Sequence, residues 1–131
     1  MLLGSNRLFI VSELTVPGLK HAKQLVSAIS ERLGEGQRPQ VIINRFEQRL
    51  FGAGLRRSDV EQALGKDFIA AIPNNYSLVR EAIDRGVPLD EVKPGNNISA
   101  QLKKLILPQV AQRAAAPEPG LMQKLGLARA R

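Results

Sequence analysis

Two segments of this sequence place hydrogen-bonding side chains directly after short apolar runs. Asn44 and Arg45 follow the run Val41–Ile43, and residues 73–75 follow the run Phe68–Ile72. Amide and guanidinium groups can bind a polar ligand, and open α/β sheets bind their ligands beyond the carboxyl ends of parallel strands. The pattern therefore indicates one site at that edge of a sheet, with these candidate residues: Asn44, Arg45, Pro73, Asn74 and Asn75.

A purely structural interpretation of the same side chains is also open. Asn44 can satisfy the backbone groups of a turn, and Asn74 or Asn75 can cap the helix that the following residues predict. The residues alone favour this structural interpretation over a binding role. Arg45, at the end of a strand, is a stronger candidate than the other arginines of its loop, which are typical of a solvated rim.

The sequence offers no constellation that would carry out catalysis or hold a metal ion. It contains no cysteine, and its one histidine, His21, lies off the apolar stripe of its helix. Glu13 is a lone carboxylate after the first apolar run, which supports no mechanism by itself. No glycine belongs to a GxxxxGK[ST] phosphate loop. We therefore predict no catalytic residue and no metal ligand in this chain.

The elements that would position the candidate site alternate between strands and helices. Apolar runs at Leu8–Val11, Val41–Ile43 and Phe68–Ile72 predict three buried strands. The first predicted helix follows Pro17 and Gly18 and stops at Gly34 or Gly36. Apolar residues at helical spacing predict the core-facing stripe of each helix. The stripe of the first helix is Leu19, Ala22, Val26, Ile29 and Leu33. The stripes of two later helices are Leu78, Val79, Ala82 and Ile83, and then Ile98, Leu102, Leu105 and Ile106.

Capping residues predict where the shorter helices begin and end. Ser58 with Glu61 predicts a capping box for a short helix that Gly65 closes. Gly86 ends the helix after Asn75, and Asn96 or Asn97 caps the last helix. Pro108 should kink that last helix or end it.

This order of elements predicts an α/β fold, a three-layer parallel sheet with flanking helices of the Rossmann-like kind. If the strands lie in chain order, both crossover helices fall on one face, and the two later helices must cover the other. Leu8–Val11 would then form an open apolar edge, which proteins usually avoid. We therefore expect this run to pair with a strand that the chain lacks, and the isolated chain to self-associate or to be marginally soluble.

Charge is concentrated at the carboxyl terminus of the chain. The net charge is +7, and residues 102–131 contain six basic residues and one acid. The sequence disfavours nucleic acid as a partner, because aromatic residues are scarce and no recognition helix is visible. There is no signal-peptide pattern and no apolar run near the roughly 20 residues that a membrane span needs. Together with the lack of cysteine, this favours a reducing cytoplasm.

Three stretches together resemble the second half of the MinD/ParA-type ATPases, over about residues 8–107. They are LFIVSELTVPGLKHAKQLV from Leu8, then NRF from Asn44, then IPNNYSLVREAIDRGVPL from Ile72. Within that superfamily the chain is most similar to pilus-assembly proteins of the CpaE (TadZ) kind. The resemblance implies a P-loop NTPase fold without its phosphate-loop half in residues 1–111, followed by a linker and basic tail in residues 112–131, which we expect to be disordered.

The resemblance also implies a ligand and partners. It puts Asn44 and Arg45 against the adenine base of a nucleotide and residues 73–75 beside it, although many relatives have Asp at the position of Asn75. ATP with Mg²⁺ would bind the complete family domain, and no cofactor should bind tightly to this chain alone. The implied partners are a second copy in a homodimer and a pilus secretion machinery, at the inner face of the cell membrane or the cell pole.

Two other functions remain open from the sequence. One is a chromosome-partition or septum-positioning ATPase relative, which would act on DNA or membrane. The other is a non-enzymatic interaction module whose basic tail binds an acidic partner. The tail from Leu121 to Arg131 loosely resembles the amphipathic membrane helix of MinD relatives and implies weak membrane contact, but an unstructured terminus is the favoured interpretation.

Overall fold

The computed structural model describes residues 7–47 and 54–115, and within these it gives a parallel sheet between two layers of helices. The elements in chain order are β1 (Phe9–Glu13), α1 (Val16–Leu33), β2 (Gln40–Phe46), α2 (Arg57–Leu64), β3 (Phe68–Pro73), α3 (Tyr76–Arg85), α4 (Leu89–Val92) and α5 (Asn97–Ala115). Short 3₁₀ turns at Glu35–Gln37 and Gly65–Asp67 precede β2 and β3. The predicted α/β class is confirmed.

The three strands lie in chain order, β1-β2-β3, and all are parallel. One face of the sheet forms a core with α1 and α2, around the fully buried Val41, Ile43 and Val60. The other face forms a second core in which Ile42 and Ile72 pack with Leu78 of α3 and Ile98 of α5. Both crossover helices thus share a face, as the chain order predicted.

Strand β1 is an edge strand with one open face. Phe9 and Val11 are 41% and 63% exposed, whereas Ile10, between them, packs partly against the core under α1. The predicted edge is confirmed, but the prediction of a buried strand at Leu8–Val11 is wrong. Alternate residues of this apolar run point to opposite faces of the sheet. Phe9 and Val11 are exposed because no helix among the described residues covers their face.

Helix α1 follows the prediction, except that it begins earlier. Thr15 is its N-cap: the Thr15 hydroxyl accepts a hydrogen bond from the Gly18 N–H at 3.0 Å. Pro17 therefore lies inside the first turn, where its missing N–H is harmless. The helix ends at Gly34, one of the two predicted positions.

The predicted capping box of α2 at Ser58 and Glu61 is wrong. The N-cap is Arg56, two residues before the predicted cap, so the helix begins at Arg57, and the Asp59 carboxylate accepts a hydrogen bond from the Arg56 N–H at 2.6 Å. Glu61 instead pairs with Arg57 at 2.8 Å, one turn away. Gly65 closes the helix as predicted.

Helices α3 and α5 bury only part of the apolar stripes that the sequence predicted for them. Leu78, Ala82 and Ile98 are buried as expected, but Val79, Ile83, Leu102 and Ile106 are exposed. Three strands are too few to cover the apolar faces of α3 and α5. Pro108 does not end α5, which continues to Ala115.

A buried asparagine fixes the start of α5. Asn96, 3% exposed, accepts a hydrogen bond from the Ser99 N–H at 2.8 Å and donates to Asp90 and to the Lys93 carbonyl. Lys103 binds the same Asp90 at 2.8 Å and, as the main cause, holds the pKa of that carboxyl below its usual value. Asn96, rather than Asn97, is thus the cap.

Candidate functional site

The carboxyl ends of β2 and β3 meet at an irregularity in the sheet. Ile43 pairs with Ala71 and Phe46 pairs with Pro73, so two residues of β2 lie opposite one residue of β3. This β-bulge contains Asn44 and Arg45, which belong to β2 rather than to the loop after it. Bulges turn side chains away from the regular ladder and are frequent beside functional sites.

Arg45 has a backbone φ of +52°, the only positive φ outside glycine among the described residues. Side chains rarely adopt this left-handed conformation, which stores strain of about 1 kcal/mol or more. The exposed Arg45 guanidinium lies 3.1 Å from the Glu13 carboxylate at the end of β1. The predicted lone carboxylate and the predicted arginine are therefore partners at the same sheet edge.

The turn from β3 into α3 is held by two asparagines with different roles. The Asn74 N–H donates to the Phe46 carbonyl at 3.0 Å, and its side chain donates to the Glu47 carboxylate. Asn75 is the N-cap of α3, since its Oδ1 accepts from the Leu78 N–H at 3.3 Å. The capping interpretation is confirmed for Asn75, whereas Asn74 joins the turn to the end of β2.

All five candidate residues line one open cavity of about 560 Å³. The cavity lies at the strand ends and runs along α3. Its other lining residues are Ile72, Tyr76, Val79, Arg80, Ile83, Asp84 and Ile98. The structure therefore brings together every residue that the sequence indicated, and it adds a wall from α3 and one residue of α5.

The α3 wall was missed because its residues matched a core stripe. Val79 and Ile83 belong to the predicted apolar stripe, yet Ile83 is 70% exposed and both line the cavity. Three- and four-residue spacing shows that residues share a helix face, but it does not show what that face contacts. Among the described residues, the three-strand sheet is too narrow to cover this face of α3, and the face therefore lines the cavity.

One ion pair sets the charge along this wall. Arg80 donates to the Asp84 carboxylate at 2.9 Å, one turn along α3. This hydrogen bond raises the pKa of the Arg80 guanidinium. Both side chains are exposed, so the pair contributes little to stability and leaves the wall with no net charge from these two residues.

The lining combines an apolar floor with amide groups at one end. Ile72 and Ile98 are buried at the floor, and three asparagine side chains lie around the strand ends. Such a cavity can hold a flat heterocyclic ring between apolar surfaces and hydrogen-bond its edge. The described residues contain no group of three His, Cys, Asp or Glu side chains that could bind a metal ion.

Fold and site together define the class: a Rossmann-like α/β sheet with an open cavity beyond the carboxyl ends of its strands. The structure is similar to that of a ParA family ATPase from Chlorobium tepidum TLS, with a TM-score of 0.61 and 22% sequence identity. The similarity covers 78% of this chain but only 40% of that protein. At this identity the likeness establishes a ParA-like fold.

The sequence comparisons add no closer relationship. No protein-family model matches the chain, and no curated protein matches it. None of the described helices is long and apolar enough to cross a membrane.

Proposed function

We propose that this chain forms the base-binding part of a ParA/MinD-like ATPase domain and that the cavity at the ends of β2 and β3 receives the adenine ring of a nucleotide. The observation that carries the proposal is the convergence of five residues, chosen from the sequence, on one cavity of a ParA-like fold. Asn44 and Arg45 come from the bulge of β2, Pro73 ends β3, and Asn74 and Asn75 belong to the turn that follows.

Adenine fits the chemistry of this lining. An asparagine amide can accept a hydrogen bond from the exocyclic amino group of adenine and donate to a ring nitrogen. Asn44, exposed at the bulge, is suited to that role. The Asn75 Oδ1 already accepts from the Leu78 N–H and from the Ser77 hydroxyl, so its amide nitrogen is the group left for a ligand. Pro73 and Ile98 supply apolar surface for the faces of the ring.

The phosphates of ATP would be held elsewhere. The sequence contains no phosphate loop, and the lining has no lysine. In P-loop ATPases that loop and the Mg²⁺ it helps to bind supply most of the contacts to the phosphates. ATP with Mg²⁺ is therefore the ligand that we propose for a complete domain, while this chain alone would bind the base weakly.

The finer proposal is a positioning or scaffold role in bacterial pilus assembly, as in CpaE (TadZ) proteins. Its support is the series NRF and IPNNYSLVREAIDRGVPL, both of which line or flank the cavity. In this role the protein would act as a homodimer in the cytoplasm and bind a pilus secretion machinery. Pilin and secretion-ATPase genes beside its own gene would favour this role.

The likeness to a ParA family ATPase keeps a chromosome-partition or septum-positioning role as the second candidate. Partition or division genes beside this gene would favour that role instead. A basic interaction module that binds no nucleotide is the third candidate, and the ligand titration described next separates it from the first two.

An NMR titration with adenosine tests the proposed cavity. We expect shifts of the backbone amide signals of Asn44, Arg45, Asn74 and Asn75 at millimolar adenosine, and smaller shifts with guanosine, whose donor and acceptor pattern is different. Asn44→Ala should weaken binding several-fold. The matched control is Gln62→Ala, which removes an exposed amide from α2, on the opposite face of the sheet.

Two results would count against the adenine site. One is a set of shifts that does not include the strand ends. The other is an equal loss of affinity in both variants. If neither nucleoside causes shifts at any residue, the non-enzymatic module becomes the favoured function.

A further inference from the structure

Tyr76, the first residue of α3, is an aromatic side chain that the fold does not bury. It is 70% exposed and lines the cavity at the ends of β2 and β3. Each described phenylalanine has a different environment: Phe46 and Phe68 pack against the core under α1, and Phe9 lies beside Arg7. Among the described aromatic residues, Tyr76 alone therefore offers its ring to the cavity.

Tyr76 begins a row of side chains along one face of α3. Residues three and four apart on a helix share a face. The other cavity-lining members of the row lie one and two turns further on: Val79, Arg80, Ile83 and Asp84. Because Tyr76 directly follows the N-cap Asn75, its ring is the part of this wall that begins beside the strand ends.

The hydroxyl end of Tyr76 is held within the same row. Hydrogen bonds to Asp84 and, second in size of effect, to the Tyr76 side chain raise the pKa of the Arg80 guanidinium. The Tyr76 hydroxyl thus accepts from a residue one turn along its own helix, and this contact restricts the orientation of the ring. A ring that is already restricted loses less conformational freedom when a ligand binds to its face.

The wall formed by α3 lies far from the edge at which we expect a further strand. Leu78 of α3 packs against Ile72 of β3. The strand order β1-β2-β3 puts β1, which should pair with a strand that the chain lacks, at the other edge of the sheet. Strand spacing would put that partner strand roughly 14 Å from β3. The exposure of Tyr76 therefore does not depend on whether β1 is paired.

We propose that the Tyr76 ring stacks on the base of the bound nucleotide. This inference rests on the proposed function, since it requires adenine to enter the cavity. Stacking on an aromatic side chain stabilises the binding of any base, because every base has a π face. The site would then combine two kinds of contact from two elements. Asn44, in the bulge of β2, would bind the edge of the base and select adenine, and Tyr76, on α3, would cover its face and add affinity.

Tyr76 can be observed by itself, because it is the only tyrosine of the chain. In the full chain labelled with ¹³C in tyrosine alone, every labelled ring signal belongs to Tyr76. Adenosine should move these signals upfield, because a stacked ring lies in the field of the π electrons of the base. The shifts should follow the same concentration dependence as the Asn44 amide signal, and nuclear Overhauser effects should join the ring to the base hydrogens. Ribose, which has no base, should leave the ring signals unchanged.

Two substitutions separate the ring from the hydroxyl. Tyr76→Leu keeps an apolar side chain without a flat ring and should weaken adenosine binding about fivefold or more. Tyr76→Phe keeps the ring and should bind adenosine within about twofold of the parent. The matched control is Val16→Ala: Val16 is the first residue of α1, is 66% exposed and does not line the cavity. This control variant should bind adenosine as the parent does.

The stacking role is overturned if adenosine shifts the strand-end amide signals but leaves the Tyr76 ring signals unchanged. It is also overturned if Tyr76→Leu binds as tightly as the parent. Equal losses in Tyr76→Leu and Tyr76→Phe would overturn it too, because the hydroxyl would then carry the contact. In these three cases the base site itself remains. If adenosine shifts neither the ring nor the strand-end signals, the base site and the stacking role both fail.

Discussion

Arg45 has a left-handed backbone conformation that is unfavourable for a residue with a side chain. Its φ of +52° is easily adopted by glycine but is unfavourable for residues with a Cβ atom. The bulge is nevertheless what moves Asn44 and Arg45 out of the regular ladder to the rim of the cavity. The strain is thus a feature of the candidate site.

A glycine substitution should reveal this strain. Arg45→Gly and Arg45→Ala both lose the contact with Glu13, but only glycine relieves the left-handed backbone. We expect the glycine variant to have a free energy of unfolding about 0.5–1 kcal/mol greater than the alanine variant, since part of the relief is offset by a more flexible unfolded chain. Urea denaturation measures the difference. If the free energy of unfolding of the alanine variant equals or exceeds that of the glycine variant, the backbone of the bulge is not strained.

Gly18 is required by close packing between the first turn of α1 and the end of β1. A Cβ atom at this position would lie 2.8 Å from the Glu13 carbonyl oxygen and 2.8 Å from the Thr15 hydroxyl. Gly18→Ala should therefore lower the free energy of unfolding by about 1–3 kcal/mol, although alanine favours helices. Gly36→Ala is the matched control, because nothing lies within 4 Å of its Cβ. Equal thermal stability of the two variants would contradict the predicted clash.

At the scale of elements, β1 has two faces with different environments. Ile10 packs under α1, and Val11 is open on the other side. Ile10→Lys should lower the free energy of unfolding by about 2 kcal/mol or more, because a charge enters a partly buried apolar site. Val11→Lys should change it by less than about 0.5 kcal/mol when measured at high dilution. The opposite order would show that the faces of β1 are exchanged.

The junction between α4 and α5 depends on a single buried amide. Asn96→Ala would leave the Ser99 N–H without its acceptor and would remove the donor to Asp90. We expect a loss of about 2 kcal/mol in the free energy of unfolding. Asn97→Ala removes the neighbouring, exposed amide and should cost less than about 0.5 kcal/mol. If chemical denaturation shows similar losses in the free energy of unfolding for the two variants, Asn96 is not the single cap of α5.

At the scale of the whole molecule, the chain corresponds to 40% of the ParA family ATPase that its fold resembles. The cavity is the site that we propose for a base, and the sequence has no phosphate loop. We expect purified chain to show no ATP hydrolysis above background and at best millimolar affinity for ATP. Adenosine and ATP should bind with affinities within about threefold of each other, because the phosphates would remain in solvent.

Calorimetry and a phosphate-release assay measure these quantities. Micromolar affinity for ATP together with Mg²⁺-dependent turnover would reveal a phosphate site among residues that the sequence did not indicate. The tail, residues 112–131, stays a prediction, because all of it after Ala115 lies outside the described residues; removal of Leu121–Arg131 would test whether it contributes to the binding of anionic vesicles.

The sequence by itself determined the order of elements, the parallel sheet and the residues at the strand ends. These features depend on local signals: apolar runs, the cap at Asn75, and glycines at the ends of α1, α2 and α3. Such signals act over one or two turns of chain, so they can be read without knowing what packs against them.

Only the tertiary structure decided which apolar faces are covered. Ile83 and Ile98 look alike in the sequence, yet Ile98 is buried against the sheet and Ile83 lines an open cavity. The bulge that turns Arg45 outward likewise follows from the pairing of β2 with β3. Burial and register depend on the number of strands and on their neighbours, because both arise from contacts between residues far apart in the chain.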